Sequence, residues 1–197
     1  MNYKNFLFVC TVFCLMIAVP KSSLAQSSRL PQLRLAVSTA TPHNTPLWVA
    51  KDKKIFDKYG VDVQMIFVMG GALVSQMLAA GEIQVAANAK VYDSFVRAVV
   101  EGYAYVFNKD NKQAVKEVIA KNLRLPNAEA AEDFYIEAQE VLDRKPYPTV
   151  DGTRTVIKFV TEQNPKVASV KAERIVDASW LKKLDDEGFF EKLYKGK

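Results

Sequence analysis

The chain has 197 residues, 27 lysines and arginines against 22 acids, and a formal net charge of +5. The length suits one compact domain, and the basic residues are too few and too dispersed for a nucleic-acid footprint. Cys10 and Cys14 are the only cysteines and His43 the only histidine, which argues against thiol chemistry and against a metal centre.

The first segment reads as an export signal. Lys4 precedes an apolar run from Phe6 to Val19, broken only by Thr11 and ended by Pro20. The run suits a signal-peptide core and is short for a bilayer span. Ser23-Leu24-Ala25 places small residues at the two positions that define a cleavage site before Gln26. Residues 1–25 are thus expected to be removed and 26–197 to form the mature chain. Both cysteines leave with the signal. Leu7-Phe8-Val9 is too bulky before Cys10 for a lipoprotein signal. Losing Lys4 and Lys21, and no acid, takes the basic residues from 27 to 25 against 22 acids, and the net charge from +5 to +3.

Leu33 to Ser38 alternates and predicts a strand. After the loop Thr39 to Thr45, Pro46 suits a first helical turn with Thr45 as N-cap. The helix is expected to run from Leu47 to about Lys58, its apolar positions Leu47, Ala50, Ile55 and Phe56 fitting one face loosely, with Gly60 as a left-handed cap. Val61 to Val68 predicts a second strand, Gly70-Gly71 a turn into a helix over 72–80, and Ile83 to Ala87 a third strand. Residues 33–88 therefore read β-α-β-α-β, for which parallel strands with right-handed crossovers are the expected solution.

From Val91 to Lys197 the chain carries no strand signal. Helices are predicted over Tyr92 to Phe107, Asn111 to Leu123, Asn127 to Leu142 and Asp151 to Thr161. In the last of these, Val156, Phe159 and Val160 form the apolar face. Ser179 is expected to cap a short helix that Gly188 breaks, and Phe189, Phe190 and Tyr194 to staple the C-terminus to the core. Trp48 and Trp180 read as packing residues, and Asp185-Asp186 as solvated. The later helices are needed to cover a small parallel sheet.

In open parallel sheets, ligands sit beyond the carboxyl ends of the strands. The candidate binding residues are Ser38, Thr39, His43, Asn44 and Thr45 after the first strand, Gly70 and Gly71 after the second, and Asn88 after the third. Hydroxyls, amides and free N–H groups at helix starts favour a small anion such as a sulfonate, carboxylate or phosphate. The same residues also make ordinary turns and caps. His43 has no nucleophile-elbow partner, so a catalytic triad is not expected.

Three segments carry a family resemblance: LRLAVSTATPHNTPLWVAKDKKIFDKYGVDVQMIFVMGGALVSQMLAAGEIQVAAN from Leu33 to Asn88, RKPYPTV from Arg144 to Val150, and DASWLKKLDDEGFFEKLY from Asp177 to Tyr194. They resemble the nitrate/sulfonate/taurine-type periplasmic solute-binding proteins of ABC importers. The resemblance implies an α/β, type II binding-protein fold with ligand held between two lobes, an inner-membrane permease as partner, no cofactor and no catalysis. It places the ligand-facing loops at Ser38 to Thr45, at Gly70-Gly71 and at Asn88. The chain departs from the family at Asn88 to Val91, where it passes straight to helices like those of the family's C-terminal part. The expectation is one lobe: residues 33–88 as its α/β half and 91–197 as its helical half. An internal deletion, natural or in the gene model, accounts for that.

Three readings follow. The first is a periplasmic solute-binding component for a sulfonate, nitrate-like anion, taurine or pyrimidine. The second is a remnant that binds no solute and associates through an exposed sheet edge. The third is an enzyme of related fold, such as a pyrimidine-synthesis relative, against which the missing thiols and single histidine argue.

Overall fold

The computed structural model describes residues 30–37, 40–68 and 89–195. The signal segment, the helix expected over 72–80 and the strand expected over 83–87 lie outside the described residues. The described chain is mostly helical, with a small two-stranded parallel sheet.

Strand β1, Gln32–Val37, pairs in parallel with β2, Asp62–Phe67, in a register running from Gln32 opposite Asp62 to Val37 opposite Phe67. Alternation sorts the side chains onto two faces. Leu33 and Val63 lie opposite each other and are buried, whereas Gln32, Arg34 and Gln64 on the other face are exposed.

Between the strands run α1, Thr45–Asp52, and the short α2, Ile55–Lys58. One continuous helix was expected here. Instead the chain breaks at Lys54, which takes a left-handed φ of 56°. The break re-aims the chain so that Ile55 and Phe56 are both buried, and Phe56 stacks on Phe95 with ring centroids 5.8 Å apart. Gly60 has the expected left-handed conformation, at φ 76°, and leads into β2.

Helix α3, Ala89–Phe107, packs Phe95, Val99 and Tyr103, spaced by four, against the larger core. Its most buried residues are Ala98, Val100, Gly102, Ala104 and Val106, on further sides of the axis. The reason is its position between two cores. Ala98 and Val106 pack in the larger one, with Leu33, Val49, Phe56 and Val63. Val100 packs in a smaller one with Leu184 and Phe190.

Helix α4, Lys112–Leu123, adds Val115, Val118 and Ile119 to the larger core. Asn127 opens the next segment as expected, its Oδ1 accepting from the Ala130 N–H at 3.0 Å. Helix α5, Glu132–Val141, follows and buries Tyr135 and Ala138. Helix α6, Val150–Gln163, is capped by Thr149, whose hydroxyl accepts from the Gly152 N–H at 3.1 Å. Its expected core face turns outward: Val156 is 60% and Phe159 62% exposed. The helix packs chiefly on the 3-10 turns Pro165–Ser169 and Ala172–Arg174, which use its opposite side.

Helices α7, Ser179–Asp186, and α8, Phe189–Tyr194, close the described chain, with Gly188 at φ 68° between them. Ser179 is not the cap. It is the first helical residue, and the Asp177 carboxylate accepts its N–H at 2.9 Å. Asp185 is not merely solvated either. It accepts from the Lys145 ammonium at 2.6 Å and from the Tyr147 hydroxyl at 3.0 Å, tying the segment before α6 to α7. Phe190 is fully buried, as a C-terminal staple should be.

Candidate ligand-binding site

The carboxyl ends of β1 and β2 stay in step, the Val68 N–H donating to the Val37 carbonyl at 3.0 Å. Beyond them lies a cavity of about 480 Å³. Val37, Met65 and Phe67 come from the strands, Ala40 from the loop after β1, and Trp48 from α1. The end of α4 supplies Leu123, Asn122 and Arg124. The wall is rigid on one side, where Trp48 is buried and stacks on Phe134 at 6.0 Å. Phe67 is 61% exposed and presents its ring openly. A larger space, of about 560 Å³, runs along α6 and receives no residue from the strands or the loop after β1.

Two polar groups face this apolar setting. Asn122 donates its amide to the Val118 carbonyl at 2.8 Å, so the side-chain oxygen remains an acceptor. Arg124 forms no ion pair among the described residues, and its φ of 56° is a left-handed conformation that favours glycine. A neighbouring space of about 480 Å³ shares Trp48, Met65 and Asn122, but its charges are largely matched. Lys51 pairs with Asp62 at 3.2 Å, and Lys121 pairs with Asp52. The Lys121 bond, against burial, holds the Asp52 carboxyl below its ordinary value. Arg124 is thus the cation that the strand-end cavity offers to an incoming anion, with a hydrophobic surface for whatever the anion carries.

Of the residues expected to bind, Ser38, Thr39, Gly70, Gly71 and Asn88 lie outside the described residues. His43 and Asn44 belong to a 3-10 turn, Pro42–Asn44, that leads directly into α1. His43 is exposed, Asn44 half-buried, and neither lines the cavity. Thr45 is fully buried, and its hydroxyl has no hydrogen-bond partner among the described residues. It is not the N-cap: Asn44 holds that position, without a side-chain capping bond. The 3-10 turn is the physical reason. Thr45 donates its N–H to the Pro42 carbonyl, and Pro46 has none, so the start of α1 has fewer donors for an anion than a freely entered helix.

Asn122 and Arg124 escaped sequence reasoning because they sit at the end of a helix that the strand pattern does not mark. The available signal was Asn122-Leu123-Arg124, an arginine at the helix end where glycine is preferred. Among the described residues no three His, Cys, Asp or Glu side chains converge to hold a metal ion. No helix among them is long and apolar enough to cross a membrane. Searches found no matching family model, no matching curated protein and no matching solved structure.

Proposed function

We propose that this chain is the periplasmic solute-binding component of an ABC importer, reduced to about one lobe of a type II binding-protein fold. It binds a small solute, a sulfonate, nitrate-like anion, taurine or pyrimidine, and presents it to an inner-membrane permease without chemical change. The observation that carries this reading is the cavity at the carboxyl ends of two parallel strands, where such sheets hold ligands. Arg124 supplies the charge, Trp48 and Phe67 the apolar contact, and Ala40 completes that side of the lining.

A thermal melt of the full chain with a panel of sulfonates, carboxylates and pyrimidines tests it. A ligand at about 100 times its dissociation constant adds about 2.7 kcal/mol to stability. A midpoint raised by one anionic class supports solute binding and names the class. A cooperative melt that no compound moves rejects it.

Two surfaces favour a second reading, a self-associating remnant that binds no solute. One is the outward apolar face of α6. The other is the outer edge of β2. The Asp62 N–H and the Val68 N–H both point to β1, so in a parallel ladder Val63, Met65 and Phe67 turn their backbone groups the other way. Concentration-dependent mass without any solute response distinguishes this reading from the first.

A further inference from the structure

A second cavity, of about 210 Å³, lies between α3 and α7 and shares no lining residue with the strand-end site. Its character is different. Tyr92, Phe95 and Tyr103 line it from α3, Trp180 from α7, and Pro148 from the segment before α6. The Tyr92 and Trp180 rings meet edge to face, with centroids 5.2 Å apart and planes at 76°. Asp177 is the only charged residue in the lining.

Asp177 forms no salt bridge among the described residues, and its carboxylate is fixed by accepting the Ser179 N–H at 2.9 Å. Burial, and then the Asp143 carboxylate, pushes the Tyr103 hydroxyl up, which keeps that ring neutral. The Trp180 indole already attracts a cation from outside the lining: the Lys183 ammonium stands 5.1 Å from its centroid and pairs with Asp93 at 3.0 Å, a carboxylate it shares with Arg97.

We propose that this cavity is a binding site for a small alkylated ammonium cation. Aromatic faces attract a cation through their quadrupoles, and most strongly one that is poorly hydrated. Rings, prolines and the aliphatic Val96, Val99, Val100 and Leu181 that complete the lining offer few hydrogen-bond acceptors, so a primary ammonium would leave donors unsatisfied, whereas a quaternary one has none to satisfy. Asp177 supplies the counter-charge. The inference does not depend on the strand-end site, because the two cavities have no residue in common.

Nitrogen–proton correlation spectra of the full chain test it, with the Trp180 indole N–H as reporter and the buried Trp48 indole as internal control. Tetramethylammonium at millimolar concentration is expected to shift the Trp180 signal saturably and leave the Trp48 signal in place. Choline is expected to bind about tenfold more tightly than the alcohol in which a tert-butyl group replaces the trimethylammonium. Asp177→Asn keeps an oxygen to accept the Ser179 N–H and removes only the charge, so it is expected to weaken the cation and spare the alcohol. Trp180→Phe keeps a ring for Tyr92 and is expected to weaken the cation less than Trp180→Leu. No saturable shift in the folded chain overturns the proposal. So does equal binding of choline and the neutral alcohol, which reduces the cavity to an apolar space.

Discussion

Gly102 of α3 lies directly against Pro46 of α1. A Cβ built on Gly102 would stand 2.4 Å from the Pro46 carbonyl oxygen, closer than real Cβ atoms approach, and 3.3 Å from the Ala50 Cβ. The obstacle is backbone, so no rotamer change relieves it. The close approach seats the start of α1, and with it Trp48, against the central helix. Gly102→Ala gains roughly 1 kcal/mol of helix propensity, but it forces the two helices apart. Overpacking of this kind costs about 1–3 kcal/mol. Against glycine's propensity penalty, a net loss measured by urea unfolding is expected, and an unchanged or raised midpoint would show that the helices can separate freely.

Arg124 joins a strained backbone to a candidate function. The left-handed conformation costs a side chain roughly 1 kcal/mol that glycine does not incur. Arg124→Gly is therefore expected to raise stability by about that amount, while abolishing the midpoint shift produced by any anionic solute. Lys54→Gly, at the other left-handed position, serves as the comparison: it should stabilise similarly and leave the solute response intact. Loss of the response in both variants would place the anion elsewhere.

Alkaline pH should unfold the chain through two tyrosines. Burial, then the Glu101 carboxylate that accepts its hydroxyl at 2.7 Å, pushes Tyr59 well above its ordinary value. Burial pushes Tyr194 up to about 12. Both hold their protons more tightly folded than unfolded, so their contribution is complete below about pH 10, the ordinary tyrosine value, and is lost as pH rises toward 12. Stability measured by denaturant titration should fall across that window. Tyr59→Phe and Tyr194→Phe should each flatten the fall, and unchanged slopes would exclude these groups as its source.

The outward face of α6 gives a prediction of opposite kind. Val156 and Phe159 are 60% and 62% exposed, so Val156→Ser with Phe159→Ser should change the stability of the isolated chain by no more than about 0.5 kcal/mol. If copies associate through this face, sedimentation will show the variant reverting to monomer. A large destabilisation would mean that the face is covered within one chain.

Much of the helical half was legible because helix signals are local. Asn127, Gly60 and Gly188 all act where their chemistry predicted, and the limits of α3, α4 and α6 fall within a few residues of the expected ones. Caps were misread by a position or two where another residue competed: Asp177 takes the role expected of Ser179, and the 3-10 turn before α1 displaces Thr45. Periodicity held for one helix and misled for another. In α3 Phe95, Val99 and Tyr103 do pack on the core, although the helix is buried on further sides too, and in α6 the apolar face turns outward. The strand ends were where the sequence placed a ligand, but the cavity found there is lined by none of His43, Asn44 and Thr45, and Asn122 and Arg124 reach it only through the tertiary packing of α4.

Helix α3 contributes Ala98 and Val106 to one core and Val100 to the other. The two clusters thus share a single structural wall, and neither can lose it alone. Melting the C-terminal helices strips one side of that wall, and opening the sheet strips the other. Calorimetry should therefore record one transition, with matching calorimetric and van't Hoff enthalpies, and damage at Phe190 should be felt as far away as Leu33.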